Sequence, residues 1–123
     1  MILAVTVAVA GGIGAVLRYL VDGAVQRRLP SPFPLGTLII NVTGSLVLGL
    51  LTGLFWYHGL SDHWRLVLGT GFCGGLTTWS TASWETVRLV DDRYFGLAFA
   101  YTLGGLAVAI GAAAAGMAVA AAA

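Results

Sequence analysis

Charge is what this chain has least of. Only 9% of its 123 residues are Asp, Glu, Lys or Arg, where a soluble domain carries about 25%. Six basic and five acidic side chains cannot coat a water-soluble globule of this size. Lysine is absent, so every basic residue is an arginine, and a net charge of +1 leaves no electrostatic case for binding nucleic acid. The single cysteine, Cys73, excludes an intrachain disulfide and a cysteine-built metal cluster within one chain. Disorder is excluded as well, because it needs low hydrophobicity and high net charge. No nucleophile–base pair or metal-ligand cluster is visible, which argues against an enzyme. No basic segment precedes MILAVTVAVAGG, so this stretch reads as a retained first span and not as a signal peptide.

What the chain does have is apolar length. It is 59% hydrophobic, with a mean hydropathy of +0.93. A bilayer span takes about 20 apolar residues, and charged or proline-rich links divide the chain into four runs of that size. The spans are predicted at about 2–21, 35–57, 65–86 and 94–120. The runs are too long for barrel strands and lack a period of two. The prediction is an all-α, multi-pass membrane protein with a single transmembrane domain over 1–123. Four spans put both termini on one side. The first and third links hold Arg27, Arg28, Arg88 and Arg93, with Arg18 close by, and the other side holds Arg65. The positive-inside rule turns the first and third links toward the cytoplasm.

The third span carries the strongest local signal. Gly69, Gly71, Gly74 and Gly75 lie at mid-membrane depth, and Gly74-Gly75 runs into Thr77-Thr78. Glycine costs about 1 kcal/mol per helical site relative to alanine, so a break is predicted here. A break frees carbonyls at the end of one half-helix and N–H groups at the start of the next, and freed carbonyls can hold a cation. Close packing by small residues is the alternative reading. The second span places Thr37, Asn41 and Ser45 at i, i+4, i+8, on one face. A lone Asn is usually interhelical glue. Three polar residues in line, beside a span rich in hydroxyls, also suit a path lined by neutral donors for a small dehydrated anion. Trp79 and Trp84 offer ring edges to such a path, or serve as packing and interfacial residues. Glu85 and Arg88, one turn apart, are placed to pair at a helix end. Arg18 either snorkels or draws anions to a vestibule. His58 and His63 have no ligand-like company. Gly49/Gly53 and Gly71/Gly75 are GxxxG pairs, and so small a bundle is expected to pack against another copy.

Three motifs in order resemble the CrcB/Fluc fluoride channel family. They are Gly11-Gly12-Ile13-Gly14-Ala15-Val16-Leu17-Arg18-Tyr19, Gly36-Thr37-Leu38-Ile39-Ile40-Asn41-Val42-Thr43-Gly44-Ser45, and Gly71-Phe72-Cys73-Gly74-Gly75-Leu76-Thr77-Thr78. The resemblance implies four helices with the third broken, assembly as an antiparallel dimer, and passive export of cytoplasmic fluoride across the plasma membrane. Two fluoride paths would run along the dimer interface. A structural sodium ion would sit at its centre, held by the carbonyls of Gly74 and Thr77 from both copies. Asn41 matches the pore asparagine, Arg18 a vestibule arginine, Ser80, Thr81 and Ser83 the hydroxyls after the break, and Glu85 the acid that follows. Thr37, Trp79 and Tyr101 complete the set expected along the path.

The chain departs from that pattern in two places. The family's signature carries two phenylalanines after the threonines, where this chain has Trp79 and Ala82. Tyr101 is present in the fourth span, but Gly105 stands where a serine is expected, and Thr102 is the only other polar side chain nearby. These changes put one fluoride path in doubt. An antiparallel homodimer favours little arginine bias, and this chain has a clear one, which suggests a fixed orientation. The partner is then either a second copy or a paralogous subunit inserted the other way. Two competing functions are a small multidrug-type antiporter and a non-conducting partner subunit of a heterodimeric channel. The antiporter needs a carboxylate within the first span, and Met1 to Leu17 holds none.

Overall fold

The computed structural model describes residues 1–123. Helix α1 spans Ile2–Arg28 and α2 spans Leu35–His58. The third span comes in two pieces: α3, residues 62–76, and α4, Ser80–Asp91. Helix α5 spans Phe95–Ala122. Helices α1, α2 and α5 are each long and apolar enough to cross a bilayer. The third predicted span forms two half-helices. The chain is a multi-pass membrane protein of four helical segments, three of them long and apolar enough to cross and one interrupted mid-chain.

The first link is shorter than expected. Residues from Asp22 onward continue α1 to Arg28, with Gln26 Nε2 donating to Asp22 Oδ2 at 3.0 Å. Charge does not stop a helix; proline does. Pro30 pushes the residue before it out of helical geometry, and Leu29 ends the helix with ψ 67°. At its other end α2 stops at Gly59, whose φ of +68° is a conformation that favours glycine. There the Leu60 N–H reaches back to the Leu54 carbonyl at 3.2 Å.

Two helix pairs carry most of the packing, and both depend on backbone meeting backbone. Between α1 and α3, a methyl group on Gly14 would strike the Phe72 carbonyl, and one on Gly75 would strike the Gly11 carbonyl. Between α2 and α5, Gly49 lies on the Ala113 carbonyl, and Gly116 on the Leu46 carbonyl. Small residues are what allow such approach in lipid, where the hydrophobic effect supplies little force between helices. Both stretches of looser, π-type winding, Arg65–Cys73 in α3 and Ala100–Gly104 in α5, lie within the spans.

Side-chain core is scarce. Leu89, Ala98 and Tyr101 form its largest buried cluster, flanked by Phe33 and Leu38. Val5, Val9, Ile13 and Val16 on α1 are all more than half exposed. Exposed aromatics mark two levels. Trp56, Tyr57 and Trp64 lie at the α2–α3 end, and Trp84 and Tyr94 toward the α4–α5 end, as rings do at the two faces of a bilayer.

Candidate functional site

The break falls at residues 77–79, where the helix is interrupted. Thr77 is extended, with ψ 158°. Its N–H still reaches the Cys73 carbonyl at 2.9 Å, and its hydroxyl donates to the same oxygen at 2.8 Å. The next residue leaves the helix altogether. The Thr78 N–H, which would otherwise close onto the Gly74 carbonyl, donates to Asn41 Oδ1 at 2.8 Å. In return Asn41 Nδ2 donates to the Thr78 carbonyl at 3.0 Å. One side-chain amide thus pairs with one backbone residue as a neighbouring strand would. The Gly74 and Thr77 carbonyls accept no hydrogen bond within the chain. Beyond the break the Thr78 hydroxyl accepts the Thr81 N–H at 3.2 Å, a bond that helps start α4.

A second polar cluster hangs α4 from its neighbours. Glu85 is only 3% exposed. Its Oε1 accepts from the Thr37 hydroxyl at 3.1 Å and its Oε2 from the Tyr101 hydroxyl at 2.8 Å. The expected Glu85–Arg88 pair is not formed. Helix α4 turns Glu85 inward and leaves Arg88 exposed, where its guanidinium lies 5.2 Å from the centre of the Trp84 ring. The one salt bridge, Arg65 to Asp62 at 2.6 Å, is on the opposite side of the molecule.

Between α2, the α4 half and α5 runs a half-open groove of about 600 Å³. No charged side chain lines it. Of the residues the sequence pointed to, Asn41, Trp79, Ser83 and Tyr101 reach its wall, and so do Gly74 and Thr77 at the break. Thr37, Ser80, Thr81, Glu85 and Arg18 lie off it. Thr37 and Glu85 are buried beyond Tyr101, joined to it by hydrogen bonds. The Thr81 hydroxyl accepts from Thr78 at 3.1 Å. Arg18 is partly exposed and forms neither hydrogen bond nor ion pair. Ser83 donates to the Trp79 carbonyl at 2.9 Å. Trp79 itself is 77% exposed, at mid-span and away from both aromatic levels.

The stripe of three polar residues on α2 therefore has three different tasks: Thr37 meets Glu85, Asn41 meets Thr78, and Ser45 faces the groove with no partner in the chain. Thr86 and Thr102, also on the groove wall, were not singled out as site residues from the sequence. The available signal was positional, since Thr86 shares a helical face with Ala82 four residues before it, and Thr102 with Gly105 three residues after it.

The family model described as "CrcB-like protein, Camphor Resistance (CrcB)" matches residues 5–117. The chain belongs to the CrcB family. Every residue of the groove and of the break falls within the CrcB match. Among CrcB relatives, the Fluoride-specific ion channel FluC 1 of Leifsonia xyli is 54% identical over 111 residues, covering 90% of this chain and 81% of its own length. FluC 2 of Cutibacterium acnes is 57% identical over 83 residues, covering 67% of this chain and 68% of its own. FluC of Pyrococcus abyssi is 43% identical over 103 residues, covering 83% and 82%. Ala82 and Gly105 are both on the groove wall.

Proposed function

We propose that the chain is a subunit of a fluoride-selective ion channel of the plasma membrane that exports cytoplasmic fluoride by passive conduction. The observation that carries this reading is the groove: it runs past the break of the third span, and its polar groups are amides and hydroxyls set among apolar residues, without a charged side chain. A small anion must shed water to enter, and neutral donors replace that water without holding the ion as a cation would. Binding firm enough for entry and weak enough for exit is what conduction requires. The relatives named as fluoride-specific channels support the choice of ion. No carboxylate on the groove wall is available for proton coupling, so the antiporter reading is set aside.

The functional unit is an antiparallel dimer with a sodium ion at its centre. Two observations support the ion site. The Gly74 and Thr77 carbonyls lack donors, and both residues reach the groove. Hard cations take oxygen ligands of this kind, and two opposed copies would double their number. When bound, the sodium supplies a fixed positive charge beside the break. Asn41 holds the Thr78 backbone in the shape that leaves those carbonyls free. Anomalous or ion-replacement density between opposed breaks tests the site, and its absence in an ordered dimer removes it.

The partner is a second copy or a paralogous subunit inserted the other way. Two features favour a paralogous partner: the small groove residues Ala82 and Gly105, and the concentration of arginine on one side. The experiment for both readings is efflux from liposomes loaded with fluoride or chloride. Fluoride release with chloride retained supports the channel. Rapid fluoride release by the chain alone removes the need for a different partner. Retention of fluoride by the chain with and without a paralogue overturns the channel reading.

A further inference from the structure

The groove wall has two hydroxyls that no path residue accounts for. Thr86 on α4 and Thr102 on α5 face each other with their Oγ1 atoms 3.0 Å apart. Each also lies within reach of a carbonyl one turn back on its own helix, Thr86 of Ala82 at 2.9 Å and Thr102 of Ala98 at 2.8 Å. Three contacts share two protons. If both hydroxyls turn to their carbonyls, the contact between them holds no proton and sets lone pairs against each other. If one hydroxyl donates to the other, the second proton is free to choose. A carbonyl inside a helix has the backbone N–H as its main donor and takes a threonine hydroxyl only as a supplement. Turning that second proton away from its carbonyl therefore costs little.

Both hydroxyls line the groove. Thr102 stands one turn before Gly105, on a stretch of α5 where Gly105, Leu106 and Ala109 give the wall no side-chain donor. Across the groove Ser45 has no partner in the chain, and Asn41 spends one amide hydrogen on Thr78 and keeps the other.

We propose that Thr86 and Thr102 form an anion-contact station on the α4–α5 wall, in which one hydroxyl donates to its neighbour and the neighbour turns its proton to the passing ion. The station takes a small, strongly hydrogen-bonding anion such as fluoride. It supplies the donor that Gly105 does not, and it is distinct from the buried Thr37–Glu85–Tyr101 cluster. The inference rests on the channel reading above and deepens it.

The test is the double variant T86V/T102V, which keeps side-chain volume and removes both hydroxyls, in the conducting assembly in liposomes. Fluoride efflux is expected to fall about tenfold, the size of one net hydrogen bond at about 1.4 kcal/mol. The fluoride concentration for half-maximal flux is expected to rise, and T86S/T102S to recover most of the rate. If the pair were only glue between α4 and α5, loss of the hydroxyls would lower thermal stability and leave that half-maximal concentration unchanged. Flux and concentration dependence both within about twofold of the parent, or a lowered melting temperature alone, overturn the proposal. Should the double variant not assemble, Thr102→Val at its exposed position carries the same readings. A parent assembly that retains fluoride overturns the channel reading and this one together, whereas a conducting parent with a conducting double variant overturns this one only.

Discussion

The two halves of the third span are held in place by opposite means. Helix α3 presses Gly71 and Gly75 onto α1, backbone against backbone, with only the Ala10 methyl group at the contact. Helix α4 is hung by side chains: Glu85 from Thr37 and Tyr101, Thr86 from Thr102. Its outer face, with Trp84 and Val87, is left bare. Lipid tails give no hydrophobic drive for helix association, so close packing and interhelical hydrogen bonds remain, and this span uses one on each side of its break. The two differ in tolerance. Backbone contact accepts no added atom, whereas a hydrogen-bonded hydroxyl can rotate. The half without play carries the carbonyls of the break, and the half with play carries the groove wall.

The largest expected effect lies on the rigid half. Gly14→Ala puts a methyl group on the Phe72 carbonyl and within 2.8 Å of the Leu76 nitrogen, so backbone has to move. Overpacking of a fixed site costs about 1–3 kcal/mol or more. Gly12→Ala, two residues earlier, meets nothing within 4 Å. The first is expected to lose the monodisperse peak in size-exclusion chromatography and the second to keep it. Equal behaviour of the two would mean that α1 and α3 are not locked by backbone contact.

Next comes the seam itself. Asn41→Asp replaces the Nδ2 donor with an oxygen facing the Thr78 carbonyl. The clamp opens on one side, and a negative charge enters the groove. Fluoride flux is expected to fall by at least about 100-fold, equivalent to about 2.7 kcal/mol, with the assembled state retained. Unchanged flux would remove Asn41 from the path and leave it as a clamp alone.

The comparison also explains what the sequence could disclose. Uninterrupted apolar runs mark the three long helices, and Gly74-Gly75 before Thr77-Thr78 marks a stretch equally suited to a break or to close packing, because both are local properties of the chain; the structure has both there. The end of α1 is not local in this sense: seven residues beyond Val21 stay helical, and only Pro30 enforces a stop. The Glu85–Arg88 spacing fails as a guide to pairing for a deeper reason. Spacing along one helix says which residues are near each other, not which one the tertiary structure buries. Thr37 and Tyr101 are 48 and 16 residues from Glu85, and only the fold brings them there. For Thr86 and Thr102, two ordinary threonines on different helices matter because of a 3.0 Å contact that no local pattern encodes.

The adjustable half can be weakened in steps. Tyr101→Phe removes the donor to Glu85 Oε2 and leaves that buried oxygen unpaired, at a cost of about 1–3 kcal/mol. The aromatic contact with Phe33, at 5.7 Å between ring centres, remains. The variant is expected to assemble but to melt several degrees below the parent. An unchanged melting temperature would show that α4 is held without the Tyr101 bond.

The smallest effect tests whether backbone packing is self-sufficient where it is densest. At the far end of α2, His58 Nε2 lies 2.7 Å from the Ala120 carbonyl in the last turn of α5. Here the same two means meet on one helix pair, since Gly53 packs against Ala120 just one turn and a half away. A carbonyl at a helix end has no helical donor; the exposed imidazole supplies one to the buried Ala120, and removing the ring lets water reach that carbonyl. Because water can take the place of the ring, His58→Ala is expected to cost no more than about 1 kcal/mol. The melting temperature of the assembled protein measures it. A loss as large as that of Tyr101→Phe would mean that the α2–α5 pair, for all its close glycines, also relies on a side chain to stay in register.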